Sequence, residues 1–196
     1  MGFTLPPQCP RRNGWITPLL GRCLMRMSGW RFEGAFPDVS RLVIAVAPHS
    51  SNWDFFIGVA ALWALDIRIS FMAKHTIFFW PFAIWLRSLG GIAVDRRAPH
   101  GVVGELIHAF EGKKNLILVI TPEGTRAYGA KFKSGFIHIA AGAKVPILLA
   151  SFDYSRRVIN FGKVILPGDD PAADLKEIMD YFRPVKGRYP KQWQNQ

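Results

Sequence analysis

The sequence predicts an α/β fold: a single layered domain with a mixed, partly parallel sheet flanked by helices. Three observations support this. Short apolar runs rich in Val, Ile and Leu recur at 42–47, 67–73, 92–94, 115–120 and 145–152, as expected of strands buried on both faces. Between most of them lie stretches with three- and four-residue hydrophobic periodicity, the alternation that builds α/β layers. No repeat, low-complexity block or linker divides the 196 residues, a length that supports one sizeable core.

Taken in order, residues 1–14 are rich in Pro, Gly and Arg and read as a loose arm. From 15 to 30 the pattern is amphipathic, with Ile16, Leu20, Cys23, Leu24, Met27 and Trp30 on one face and Arg22 and Arg26 on its flank. Arg11, Arg12, Arg22, Arg26 and Arg31 all precede the first acidic residue, Glu33. An interfacial helix on anionic lipid has this form, and so does a core-packing helix with solvated arginines. Segment 15–34 is assigned as an amphipathic membrane-surface helix, 35–184 as the main domain and 185–196 as a surface tail.

The run at 42–47 ends at Pro48, and helical spacing resumes with Phe55, Val59, Leu62 and Trp63. After the strand at 67–73 comes an intensely apolar stretch, 75–89, in which Pro81 is placed to open a helix. Its aromatic residues fit either a buried helix or a surface for acyl chains or membrane. A helix is expected over 102–110, stopped by Gly112, and another over 135–143. Segments 157–161 and 163–166 read as a hairpin, and a last helix spans 170–182, capped near Asp169 or Asp170.

Composition narrows the function. Lysine and arginine total 25 against 14 acidic residues, a net charge of +11. That balance favours an anionic partner: nucleic acid, a membrane surface, or a phosphorylated or CoA-like molecule. Seven Trp and fifteen Phe tilt the choice toward lipid or another greasy ligand. The two cysteines, Cys9 and Cys23, match no metal-ligand or redox spacing, so a reducing, cytoplasmic setting is the default. No apolar run reaches the roughly eighteen residues of a spanning helix, and Pro6, Pro7 and Pro10 interrupt any signal-peptide core. Membrane association is therefore expected to be peripheral.

Two clusters carry candidate chemistry. His49 sits at a strand exit and Asp54 in the first turn of the next helix, with cap-type Ser50, Ser51 and Asn52 between. On one continuous helix, positions five apart diverge by about 140°. An intervening turn lets the Asp54 carboxylate reach one ring nitrogen of His49, fixing the tautomer and leaving the other nitrogen as a general base. Ordinary helix starts also look like this. The second cluster, Pro-Glu-Gly-Thr-Arg at 122–126, follows another apolar strand. Pro122 stops the strand and Gly124 permits a turn. Glu123 and Arg126 form a structural ion pair, or Arg126 reads a phosphate or carboxylate.

His49 to Asp54, Gly-Ile-Ala-Val-Asp-Arg at 91–96, Pro-Glu-Gly-Thr-Arg at 122–126 and Val-Pro-Ile at 145–147 occur in that order. Together they resemble the four blocks of the glycerolipid acyltransferase family, typified by 1-acylglycerol-3-phosphate acyltransferases, over roughly residues 40–150. The resemblance implies an acyltransferase domain at 35–184, with His49 as general base and Asp54 as its partner. It also implies that Lys74, Arg96, Glu123, Gly124, Thr125 and Arg126 bind the acceptor's phosphate end.

The implied reaction moves a fatty acyl group from acyl-CoA or acyl carrier protein to a lysophospholipid hydroxyl, on the cytoplasmic face of a membrane. It needs no metal or further cofactor, and the five histidines show no ligand spacing. Backbone N–H groups at the start of the Trp53 helix, or Thr125, are candidate oxyanion donors. Pro48, Thr121 and the Ala-Val pair at 93–94 depart from the family's usual residues, and the N-terminal region is short for the membrane-embedded helices of many members. These departures leave the acceptor open. Two alternatives stand beside this reading: a thioesterase or lipid hydrolase using water, Ser50 or Ser51, and a non-catalytic lipid- or nucleic-acid-binding module. Nucleic acid is not the expected partner, because no helix reads as a recognition element.

Overall fold

A computed structural model describes residues 3–94, 99–124 and 131–189. Seven strands form one sheet in the order β1-β7-β6-β2-β5-β3-β4. They are β1 (Arg31–Gly34), β2 (Arg41–Val46), β3 (Ser70–Lys74), β4 (Gly91–Val94), β5 (Leu116–Ile120), β6 (Ile147–Asp153) and β7 (Val158–Ile165). Only β6 with β7 is antiparallel; the other neighbouring pairs run parallel. The helices are α1 (Ile16–Ser28), α2 (Trp53–Leu65), α3 (Phe82–Ser88), α4 (Pro99–Glu111), α5 (Gly135–Ala143) and α6 (Pro171–Phe182), with a single 3-10 turn at His75–Ile77.

The continuous apolar run of β2 has a direct packing reason. Successive side chains of a strand point to opposite faces, and both faces of this strand are covered. Val43 and Ala45 join one core with Leu106 and Phe110 of α4, Phe136 and Ile137 of α5, and Ile178 of α6. Leu42, Ile44 and Val46 join the other with Met25 of α1, Ala61, Leu62 and Leu65 of α2, and Leu89 after α3. The result is a layered α/β domain, as the alternation of patterns predicts.

Three sequence expectations change. Residues 3–14 are not a loose arm. Leu5 and Cys9 are buried in the second core, Arg11 donates to the carbonyls of Leu5 and Leu65, and the backbones of Pro10 and Arg12 bond to Arg68 and Asp66. Apolar burial and these paired main-chain groups offset the entropy of fixing the arm. Segment 15–34 is not all helix: α1 stops at Gly29, which takes φ +73 and caps it, and 31–34 is the edge strand β1 beside β7. The hairpin expected over 157–166 is one strand, β7, returning along β6 with a register irregularity near Ala150. The tail expected at 185–196 is exposed at Lys186, Arg188 and Tyr189, and there it lies on the loop carrying His49; 190–196 lie outside the described residues. Asp170 caps α6 as expected, accepting from the N–H groups of Ala172 and Ala173.

Candidate active site

Strands β2, β5, β3 and β4 are adjacent and parallel, so their carboxyl ends share one edge of the sheet. Ligands of open α/β sheets bind outside that edge. His49 follows β2 by three residues, Glu123 follows β5 by three, and Lys74 ends β3. Topology thus gathers motifs that lie up to 74 residues apart in sequence.

The His49 loop is built around the Asp54 carboxylate. Nδ1 of His49 lies 3.1 Å from Oδ2 of Asp54. The same oxygen accepts the backbone N–H groups of Ser50 and Ser51, each at 2.9 Å. Oδ1 accepts the hydroxyl of Tyr154 at 2.6 Å. Asp54 is only 2% exposed, and a buried charge needs this density of donors. Burial raises its pKa, but the hydrogen bonds from His49, Tyr154 and Ser51 outweigh that effect and hold it below the ordinary 3.8. Tyr154 moves the other way: burial, then the Asp54 carboxylate, push its phenol well above the usual range.

A carboxylate on Nδ1 fixes the tautomer. The Nδ1–H donates to Asp54, so the basic lone pair of neutral His49 resides on Nε2. His49 lies in the loop before α2, and its ring stays partly accessible, with 16% of the side chain exposed. This arrangement can abstract a proton from a hydroxyl and stabilise the imidazolium that results.

Glu123 joins the two clusters. Its Oε2 accepts the main-chain N–H of His49 at 2.9 Å, and the residue is 1% exposed. The turn at Gly124 requires φ +61, a conformation glycine adopts without a Cβ penalty. Its N–H returns to the carbonyl of Thr121 at 3.0 Å.

A family model described as Acyltransferase matches residues 32–152. The chain belongs to that family. Among acyltransferase relatives, the 1-acyl-sn-glycerol-3-phosphate acyltransferase of Cocos nucifera is 32% identical over 146 residues, 70% of this chain and 46% of its own length. That of Escherichia coli (strain K12) is 27% identical over 167 residues, 81% of this chain and 66% of its own. The chain spans about half to two thirds of the length of these two relatives. The crystal structure of the 1-acyl-sn-glycerophosphate (LPA) acyltransferase PlsC from Thermotoga maritima has the same fold, with TM-score 0.61 at 18% identity, over 85% of this chain and 75% of that one.

Within this acyltransferase fold, His49, Asp54 and Glu123 are in direct contact, with Gly124 beside them. Lys74 is exposed at the end of β3, two strands from β2 across the same edge, or about 10 Å by strand spacing. Arg96, Thr125 and Arg126 lie outside the described residues. The backbone donors expected at the start of α2 are already committed. Ser50 and Ser51 N–H serve Asp54, Trp53 N–H serves the Ser51 hydroxyl, and Asp54 and Phe55 N–H return to Ser51 and Asn52 carbonyls. Those five therefore do not form an oxyanion hole in this conformation.

Two contributors escape sequence reasoning. Tyr154 stands in the turn after β6 with no motif around it. Segment 186–189 crosses the His49 loop: Tyr189 N–H donates to Ser50 Oγ at 3.3 Å, and the Arg188 guanidinium sits 5.2 Å from the Trp53 ring centroid. A Cβ at Gly187 would stand 2.7 Å from Ser50 Oγ and 3.0 Å from Pro48 Cγ, so the crossing needs glycine there.

Proposed function

We propose that this chain transfers a fatty acyl group from an acyl thioester, of CoA or of acyl carrier protein, to the hydroxyl of a lysophospholipid such as 1-acylglycerol-3-phosphate. The observation that carries the reading is His49 Nδ1 held at 3.1 Å on a buried carboxylate. The names of the relatives support the substrate class.

In the proposed step, Nε2 of His49 takes the acceptor's hydroxyl proton as that oxygen attacks the thioester carbonyl. Asp54 stabilises the imidazolium, as the acid of a hydrolase triad does. The tetrahedral intermediate collapses, the C–S bond breaks, and the imidazolium returns its proton to the leaving thiolate. The products are an ester and a free thiol, with no protein nucleophile. Lys74, with Arg96, Thr125 and Arg126 of the motif loops, would hold the acceptor's phosphate and orient its hydroxyl.

Peripheral attachment to the cytoplasmic face of a membrane belongs to the same proposal. Helix α1 buries Pro18, Gly21 and Met25 and leaves Ile16, Leu20, Leu24 and Met27 exposed, Met27 at 79%. Arg22 and Arg26 flank that outward stripe. Further large apolar side chains are exposed at Trp53, Phe56, Phe79, Trp80, Phe82 and Ile84. The aromatic stretch lines an open apolar depression at Pro81, Phe82 and Trp85. A monotopic protein on anionic lipid has such a surface. Among the described residues no helix is long and apolar enough to cross a membrane.

The test is turnover of one acyl-CoA with a panel of lysolipids, read as free thiol and as acylated product by mass spectrometry. Ester formation that disappears in His49→Ala is the expected result. Free fatty acid without acylated acceptor would instead point to a thioesterase, and full activity of His49→Ala would remove the base.

A further inference from the structure

The Asp54 carboxylate is held from two directions. Oδ2 takes His49 Nδ1 and the N–H groups of Ser50 and Ser51, all from the loop itself. Oδ1 takes a single described donor, the Tyr154 hydroxyl, from 100 residues away. The phenol is itself fixed. Its ring meets Trp30 edge-to-face at 5.0 Å and 87°, and its backbone N–H donates to the Lys186 carbonyl at 2.9 Å. Such support keeps a donor in one geometry at no cost during the reaction.

We propose that Tyr154 is a positioning residue for the acyl-transfer site: its hydroxyl anchors Asp54 Oδ1 so that Oδ2 stays on His49, and it sets the charge that His49 feels. This rests on the reading of His49 as general base. A 2.6 Å O–H···O⁻ bond draws negative charge toward Oδ1. Removing it concentrates that charge on the oxygen facing His49, which stabilises the imidazolium further. The histidine then holds its proton to higher pH, where a base must be neutral to act. Among the described residues, the charged and titratable groups around this pair include Glu123 after β5, and Arg188 and Tyr189 of the crossing segment.

The experiment uses Tyr154→Phe in the full chain, which retains the ring and its Trp30 contact and removes only the hydroxyl. Two readouts are taken: the pH profile of kcat/KM, and the titration of the His49 ring by NMR, assigned with His49→Gln. The expected result is a fall in kcat of about tenfold, the scale of one charge-assisted hydrogen bond. KM for the lysolipid stays within about twofold, and both the acid limb and the His49 titration move to higher pH. Replacement of Tyr154 by 3-fluorotyrosine, a more acidic donor that preserves the packing, moves both to lower pH and keeps the test available if Tyr154→Phe folds poorly. Unchanged kcat, acid limb and His49 titration in both variants overturn the proposal and leave Tyr154 a packing residue. An active His49→Gln would end the general-base reading and this inference with it. An inactive His49→Gln beside an unaltered Tyr154→Phe would end this inference alone.

Discussion

Glu123 offers the sharpest test of how the two motif loops cooperate. Its carboxylate is almost completely buried and accepts the main-chain N–H of His49 at 2.9 Å. Glu123→Ala removes a hydrogen bond to a charged group, worth about 1.5–3 kcal/mol, and one buried methylene at ~0.8 kcal/mol. The expected loss is about 3 kcal/mol. A chain of this length has an unfolding entropy of roughly 0.4 kcal/mol/K, so Tm should fall by about 7 °C. Activity should fall further than this stability loss explains at temperatures where the variant is folded. A His49 ring displaced by about 1 Å loses on the order of 10²-fold in rate. Glu123→Gln retains a carbonyl that accepts the same N–H, so it should recover most of the Tm and part of the rate. Thermal unfolding and kcat, measured on both variants below their Tm, decide the matter. If Glu123→Ala keeps the wild-type Tm and kcat, Glu123 does not hold the His49 loop and the argument fails.

Four other outcomes are expected. Asp54→Asn should lower kcat by roughly 10²–10⁴. Because the Asp54 pKa is depressed in the folded state, its ionisation stabilises the fold fully above the ordinary 3.8, and that contribution is lost as pH falls through the depressed folded value. The Tm gap between wild type and Asp54→Asn should therefore be flat near neutrality and shrink as pH falls below 3.8 toward the depressed folded value in acid unfolding scans. In the native protein at pH 8, iodoacetamide should label Cys23, which is exposed, and spare Cys9, which is buried with its thiol pushed up to about 11; mass spectrometry before and after denaturation reads this directly. Gly21→Ala should lower stability by about 1–3 kcal/mol, since a Cβ there would stand 2.3 Å from the Ala64 nitrogen of α2; denaturant titration measures it. Met27→Glu should weaken co-sedimentation with vesicles rich in anionic lipid while leaving Tm unchanged, whereas equal binding by both proteins would exclude the outward face of α1 as the attachment surface.

Much of this molecule is readable from local pattern. The run at 42–47 announces a strand buried on both faces because its apolar residues have no polar alternation. Helix 135–143 lies where its pattern places it, and Asp170 before Pro171 is a helix start by capping chemistry. His49 and Asp54 are identifiable because a five-residue step across a strand-to-helix turn can bring an imidazole onto a carboxylate, and the observed 3.1 Å contact lies within that short segment.

Longer-range contacts decide the rest. Amphipathicity identifies α1 as a helix but not which side it buries; packing of Gly21 against the α2 backbone turns Ile16, Leu20, Leu24 and Met27 outward. The apparent looseness of residues 3–14 disappears because Leu5 and Cys9 find a core built from segments far along the chain. Glu123 meets the His49 backbone only because β2 and β5 are parallel neighbours whose ends coincide. Tyr154 reaches Asp54 from a turn that carries no motif. The sequence by itself determined most of the elements and the residue types of the His49 site, because periodicity, caps and turn residues act over a few positions. Tertiary structure alone decided what fixes that site in place, because hydrogen bonds between distant loops exist only once the sheet has brought their ends together.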